Sequence, residues 1–94
     1  MILIDVGNTN IVFATSANNL LKKIKRIKTN EDNKKLKNII DKIILDFAST
    51  NKLDNHNVAI ISSVVPNLNL LITNVLKKHS IKSCSRSKIY NNTI

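Results

Sequence analysis

The sequence contains one cysteine, one glycine, one proline, one tyrosine and no tryptophan. Each scarcity excludes something. A single thiol, Cys84, cannot close an internal disulfide, so a disulfide framework is ruled out and a reducing cytoplasm is the expected setting. Nothing near Cys84 supplies a catalytic partner, and it reads as a small, partly buried residue. The aromatics are Phe13, Phe47 and Tyr90, too few for a base-stacking platform. No run approaches the ~18 consecutive apolar residues of a membrane span. The first residues include an acid and follow no basic region, which argues against a signal peptide. Acids are also few: 6 Asp and Glu stand against 15 Lys and Arg, a formal charge of +9. Such a surplus favours acidic partners. Only Arg26 and Arg86 are arginine, however, the better bidentate reader of guanine and phosphate. The abundance of Lys, Asn and Ile matches AT-rich codons, so the charge is explained without a nucleic-acid partner. Neither nucleic acid nor membrane is expected.

What is present is one small domain's worth of chain, 94 residues. A domain of that size buries roughly 60–65% of the surface that its unfolded chain exposes. Residues 2–6 and 11–14 are apolar runs joined by Gly7-Asn8-Thr9-Asn10, a composition that predicts a hairpin. Ala17-Asn18-Asn19 predicts the next turn. Residues 20–28 read as a third strand; Leu20, Leu21, Ile24 and Ile27 alternate poorly, and their spacing also admits a helix. Thr29-Asn30-Glu31-Asp32 fits a capping box, with Thr29 accepting from the first turn and Asp32 reaching back. Leu36, Ile39, Ile40, Ile43, Ile44 and Phe47 then recur every three or four residues, a one-sided helix of about five turns whose lysines form a solvated face.

Residues 51–57 are polar and read as a loop. Residues 58–65 are mostly β-branched and alternate poorly, the pattern of a parallel strand covered on both faces and ended by Pro66. Asn67 is positioned to cap a second helix carrying Leu68, Leu71, Ile72, Val75 and Leu76. Lys77, Lys78 and His79 close it. A short last strand is expected near 81–85, followed by a polar tail. The order implies an α/β fold with a mixed sheet: an antiparallel three-strand meander, then helix–strand–helix. His56 and His79 show no metal-ligand spacing to acids or to Cys84 and read as structural.

The turn after the first strand carries the chemistry. A carboxylate at a strand end, Asp5, can hold Mg²⁺, which takes one or two carboxylates plus substrate phosphates. Gly7 lets the backbone approach a phosphate. Successive N–H groups make an anion-binding concavity, and Thr9 and the Asn side chains can donate to it. The same residues also suit a plain hairpin. The pattern is not a Walker-type loop, which needs a second glycine followed by Lys and Ser or Thr.

Asp5-Val6-Gly7-Asn8-Thr9-Asn10-Ile11-Val12-Phe13 closely resembles the first phosphate motif of the type III pantothenate kinases. Ile60-Ile61-Ser62-Ser63-Val64-Val65-Pro66 is similar to that family's Ile-Ser-Ser-Val-Val-Pro stretch. Arg26-Ile27-Lys28-Thr29 is similar to its Arg-Ile-x-Thr. The resemblance implies the first domain of an actin-like, ribonuclease H-like ATPase fold. It also implies transfer of the ATP γ-phosphate to the pantothenate hydroxyl in coenzyme A biosynthesis. Mg²⁺ or another divalent metal, a monovalent cation such as K⁺ or NH₄⁺, and a homodimer come with it. Carried over, Asp5, Val6, Gly7, Asn8, Thr9, Asn10, Ile11 and Val12 form the ATP-phosphate loop, and Asp5 positions the metal–phosphate group. Ser62, Ser63 and Pro66 lie on the central strand and its exit, where packing is the main task for the serines.

The departures from the family pattern are equally legible. The family's Gly-Ala-Asp-Arg motif, which carries the general base, is absent, and so is its Gly-Pro-Gly segment; Ser83 to Lys88 stands in that region. Tyr90-Asn91-Asn92 faintly resembles the family's Tyr-Asp-Asn-Pro and makes Tyr90 a weak substrate-side candidate, the alternative being a surface tail. Residues 1–94 are therefore expected to be a single, truncated N-terminal actin-like domain, without a catalytic residue of its own and inactive alone. A regulatory or binding module like the Bvg accessory factors, and a non-functional gene remnant, are the alternatives.

Overall fold

The computed structural model describes residues 1–49 and 57–86. Five strands and two helices follow one another as β1 (Ile2–Val6), β2 (Asn10–Ala17), β3 (Leu20–Lys28), α1 (Asn33–Ser49), β4 (Val58–Ser63), α2 (Asn69–Lys78) and β5 (Lys82–Arg86), with a 3₁₀ turn over Pro66–Leu68 before α2. The sheet order is β3-β2-β1-β4-β5. β1 to β3 form the antiparallel meander, and β4 joins β1 and β5 in parallel. This is the mixed sheet that the strand and helix pattern predicts.

The β2–β3 hairpin turns on Asn18 and Asn19, both left-handed with φ of 54° and 65°. Asparagine tolerates that region, and a two-residue turn with both φ positive matches the twist of the flanking strands. A bulge between Ala14 and Ser16 then shifts the register by one residue. The buried Thr15 hydroxyl fills the break, accepting the Lys23 N–H at 3.1 Å. Because side chains alternate faces along a strand, this single slip decides which face each β3 residue takes. Ile27 lies opposite Ile11 and packs against the core, while Arg26 and Lys28 lie opposite Val12 and Asn10.

The core occupies one side of the sheet. Ile2, Ile4, Val6, Ile11, Phe13, Ala59 and Ile61 from the strands cluster with Leu36, Ile40, Ile44 and Phe47 of α1 and Ile72, Val75 and Leu76 of α2. Both crossovers, β3–α1–β4 and β4–α2–β5, advance in the same direction across the sheet. Right-handed connections then place both helices on one face. The opposite face is bare among the described residues. One of its rows, read strand by strand through the pairings, is Ile24, Ala14, Leu3, Ile60 and Cys84.

Several expectations are corrected here. β4 is covered on one face only: Ala59 and Ile61 are buried while Val58 and Ile60 are half-buried. Its weak sequence alternation reflects β-branched residues on both sides. Cys84 is exposed, because it points to the bare face of the edge strand β5. The capping box does not form. Asp32 caps α1 directly, its Oδ1 accepting the Lys35 N–H at 2.9 Å, and Thr29 acts elsewhere. Asn67 caps nothing: it lies inside the 3₁₀ turn, and α2 begins without a side-chain cap. β3 is a strand rather than a helix. Its poor alternation belongs to an edge strand whose Leu20, Leu21 and Ile24 are more than half exposed. His56 and most of the expected 51–57 loop lie outside the described residues, as does the tail from 87.

Candidate functional site

The ends of the parallel strands bring the sequence motifs together. Asp5 is exposed on the bare face, opposite Val12 of β2 and Ser62 of β4. Its row runs Arg26, Val12, Asp5, Ser62, Arg86, so both arginines of the chain share the row of this carboxylate. Val6 and Ile11, by contrast, are fully buried in the core. They serve the turn through its backbone, whereas Asn8 and Thr9 are exposed and Asn10 is half-buried.

The turn is tied down from three directions. The Gly7 N–H donates to the Asn10 carbonyl at 2.9 Å. The Thr29 N–H donates to the Thr9 carbonyl at 2.9 Å, and the Thr29 hydroxyl donates to the Gly7 carbonyl at 2.7 Å. The Val64 N–H donates to the Val6 carbonyl at 3.0 Å, fastening the exit of β4 to the end of β1. The Gly7, Thr9 and Asn10 carbonyls are thereby engaged by donors of the protein. A preset turn of this kind avoids the cost of being ordered when a ligand binds. Space at Gly7 is tight but its backbone is ordinary: a Cβ there would sit 3.1 Å from the Asn10 carbonyl oxygen, closer than an ordinary contact, and its φ is not positive.

A cavity of about 350 Å³ opens beside the turn, lined by Asn8, Thr9, Asn10, Lys28 and Asn30. Lys28 and Asn30 were not among the sequence candidates. The signal that finds Lys28 is the β2–β3 register, which the bulge conceals; Asn30 follows the end of β3. A second cavity, about 210 Å³, lies at the ends of β4 and β5, lined by Ile61, Ser63, Asn69, Ser85 and Arg86. The Ser63 hydroxyl accepts the Val65 N–H at 3.1 Å and turns the chain towards α2. Asn69 Oδ1 is buried with no hydrogen-bond donor among the described residues. Binding crevices of open α/β sheets form at such carboxyl ends of strands.

An exposed carboxylate beside a hydrogen-bonding turn fits a divalent ion that is shared with phosphates, since Mg²⁺ takes one or two protein carboxylates and completes its shell with phosphate and water. No group of three His, Cys, Asp or Glu among the described residues offers an all-protein metal cage. His79 is structural: its Nε2 lies 2.6 Å from Asp41 Oδ1, linking α2 to α1. Tyr90 lies outside the described residues. No described helix is long and apolar enough to cross a membrane.

Comparison with known proteins adds three findings. The model of the type III pantothenate kinase family matches residues 1–90. Among solved structures, T. thermophilus RuvC in complex with Holliday junction substrate aligns with a TM-score of 0.65 at 13% identity, over 99% of this chain and 68% of that one. A likeness at that identity shows the fold, which is ribonuclease H-like. No curated protein matches the sequence.

Proposed function

Because the chain belongs to the type III pantothenate kinase family, we propose that its 94 residues form the ATP-phosphate side of a site that phosphorylates pantothenate. The observation that carries this reading is the turn from Gly7 to Asn10, fastened by Thr29 and facing a polar cavity. The backbone and side chains of Asn8, Thr9 and Asn10 would receive phosphate oxygens there. Asp5 would hold Mg²⁺, whose role when bound is to neutralise charge on the phosphates. Phosphoryl transfer is positioning plus charge stabilisation, and it needs a group to accept the proton of the attacking hydroxyl. The Gly-Ala-Asp-Arg motif that would supply that base is absent from these residues. The 94 residues alone therefore bind nucleotide without turning it over on pantothenate.

Calorimetric titration of the purified chain with ATP and Mg²⁺ tests the proposal. Saturable binding that Asp5→Asn weakens about tenfold or more is expected, since the substitution removes the charge that a shared metal needs. Absence of ATP binding, or binding indifferent to Asp5→Asn, would overturn it. Phosphorylation of pantothenate by the chain alone would overturn the assignment of an inactive half-site.

A further inference from the structure

We propose that Lys28 is the phosphate-holding cation of this site, contacting a nucleoside polyphosphate from the end of β3. The inference rests on the nucleotide reading above and adds to it a residue that no motif marks. In Arg26-Ile27-Lys28-Thr29 it occupies the variable position, between residues whose places are set by the core and by the turn.

Three observations converge. The cavity beside the turn is lined by four neutral hydrogen-bonding residues and one cation, Lys28. Its volume of about 350 Å³ is many times the ≈ 30 Å³ share of one water and leaves room for more than one phosphate group. The register puts Lys28 opposite Asn10, and hence on the face that carries Asp5. Lys28 lies two strands across from Asp5 and about one pleat repeat along, so their backbones are about 12 Å apart from strand spacing and rise. Side chains reaching inward from both ends can bracket a polyphosphate lying over the turn.

The bulge makes this arrangement possible. Without the one-residue shift between Ala14 and Ser16, Ile27 would face the cavity and Lys28 would be turned to the helix side. Placing Ile27 in the core and Lys28 at the cavity are therefore one event. A lysine suits the position: a compact point charge on a flexible stem follows phosphate oxygens without demanding bidentate geometry.

The test compares Lys28→Gln, Lys28→Arg and Lys25→Gln by calorimetric titration with ATP and AMP. Lys25 is also exposed on β3 but lies opposite Phe13, on the other face. Lys28→Gln should weaken ATP binding about tenfold, as expected for one partly solvated charge pair, and weaken AMP binding less. Lys28→Arg should stay within about threefold of the parent and Lys25→Gln within about twofold, because the first keeps the charge and the second removes one that faces away. Lys28 is exposed, and circular dichroism of each variant confirms that the fold is kept. Equal losses for Lys28→Gln and Lys25→Gln would reduce the effect to net charge and overturn the proposal. So would ATP affinity unchanged in Lys28→Gln. Failure of the parent chain to bind ATP would remove the nucleotide reading itself.

Discussion

Thr29 carries two hydrogen bonds into the turn that precedes it by some twenty residues, one from its backbone and one from its hydroxyl. A capped helix start and a fastened loop both want a hydroxyl at this point in the sequence, and composition does not separate them. Geometry does: the helix begins at Asn33, out of reach, while the Gly7 carbonyl is 2.7 Å away. Thr29→Val keeps the shape and removes the donor. The expected cost is about 1 kcal/mol in urea unfolding, the worth of a neutral hydrogen bond, together with weaker ATP binding as the turn loosens. Thr29→Ser should restore both. A Thr29→Val variant with unaltered nucleotide affinity would show that the tie serves folding alone. Asp5 was legible as a candidate from its position at a strand end. Lys28 was not, because its face depends on a bulge that leaves no mark in composition.

At the scale of elements, the two helices are joined by a clasp. Asp41 of α1 receives His79 at 2.6 Å and Lys78 at 3.0 Å, from the end of α2. Those hydrogen bonds, that of His79 first, hold the Asp41 carboxyl below its usual range. A depressed folded value means that stabilisation is present above the unfolded carboxyl value of about 3.9 and is lost as pH falls through the folded one. Asp41→Asn should therefore lower the urea midpoint at neutral pH, and the gap to the parent should close on acidification below pH 4. A gap that stays constant with pH would mean that the carboxylate charge contributes nothing to the clasp. The helices themselves were plain in the sequence, because Leu36, Ile40, Ile44 and Phe47 recur with helical spacing. Their starts are not legible in the same way. Ser, Thr, Asn and Asp crowd both junctions, and only the path of the chain selects Asp32 as a cap and leaves Asn67 without that role.

For the molecule as a whole, a single cluster on one side of the sheet holds both helices. Phe47 is fully buried there. Phe47→Ala should cost about 3–5 kcal/mol, a large share of the 5–15 kcal/mol typical of a domain. Thermal melting followed by circular dichroism should show a largely unfolded chain; a melting temperature within a few degrees of the parent would place the core elsewhere. The mixed topology could be read from element order because right-handed crossovers leave few options. The bareness of the second face could not, since β-branched residues lie on both sides of β4 whether or not anything covers them.

The strand order has a further consequence for how the chain is made. β1 is flanked by β2 and β4, and it precedes both in the sequence. During synthesis the hairpin with β2 can close early, but the parallel partner Val58–Ser63 emerges only after the whole of α1. Until then the future centre of the sheet is an edge, with Leu3 and Ile4 in it and one row of backbone groups open to any passing strand. Long-range parallel pairing of this kind slows folding. The interval on the ribosome between Asn10 and Ser63 is thus the period when this sheet is most open to mispairing.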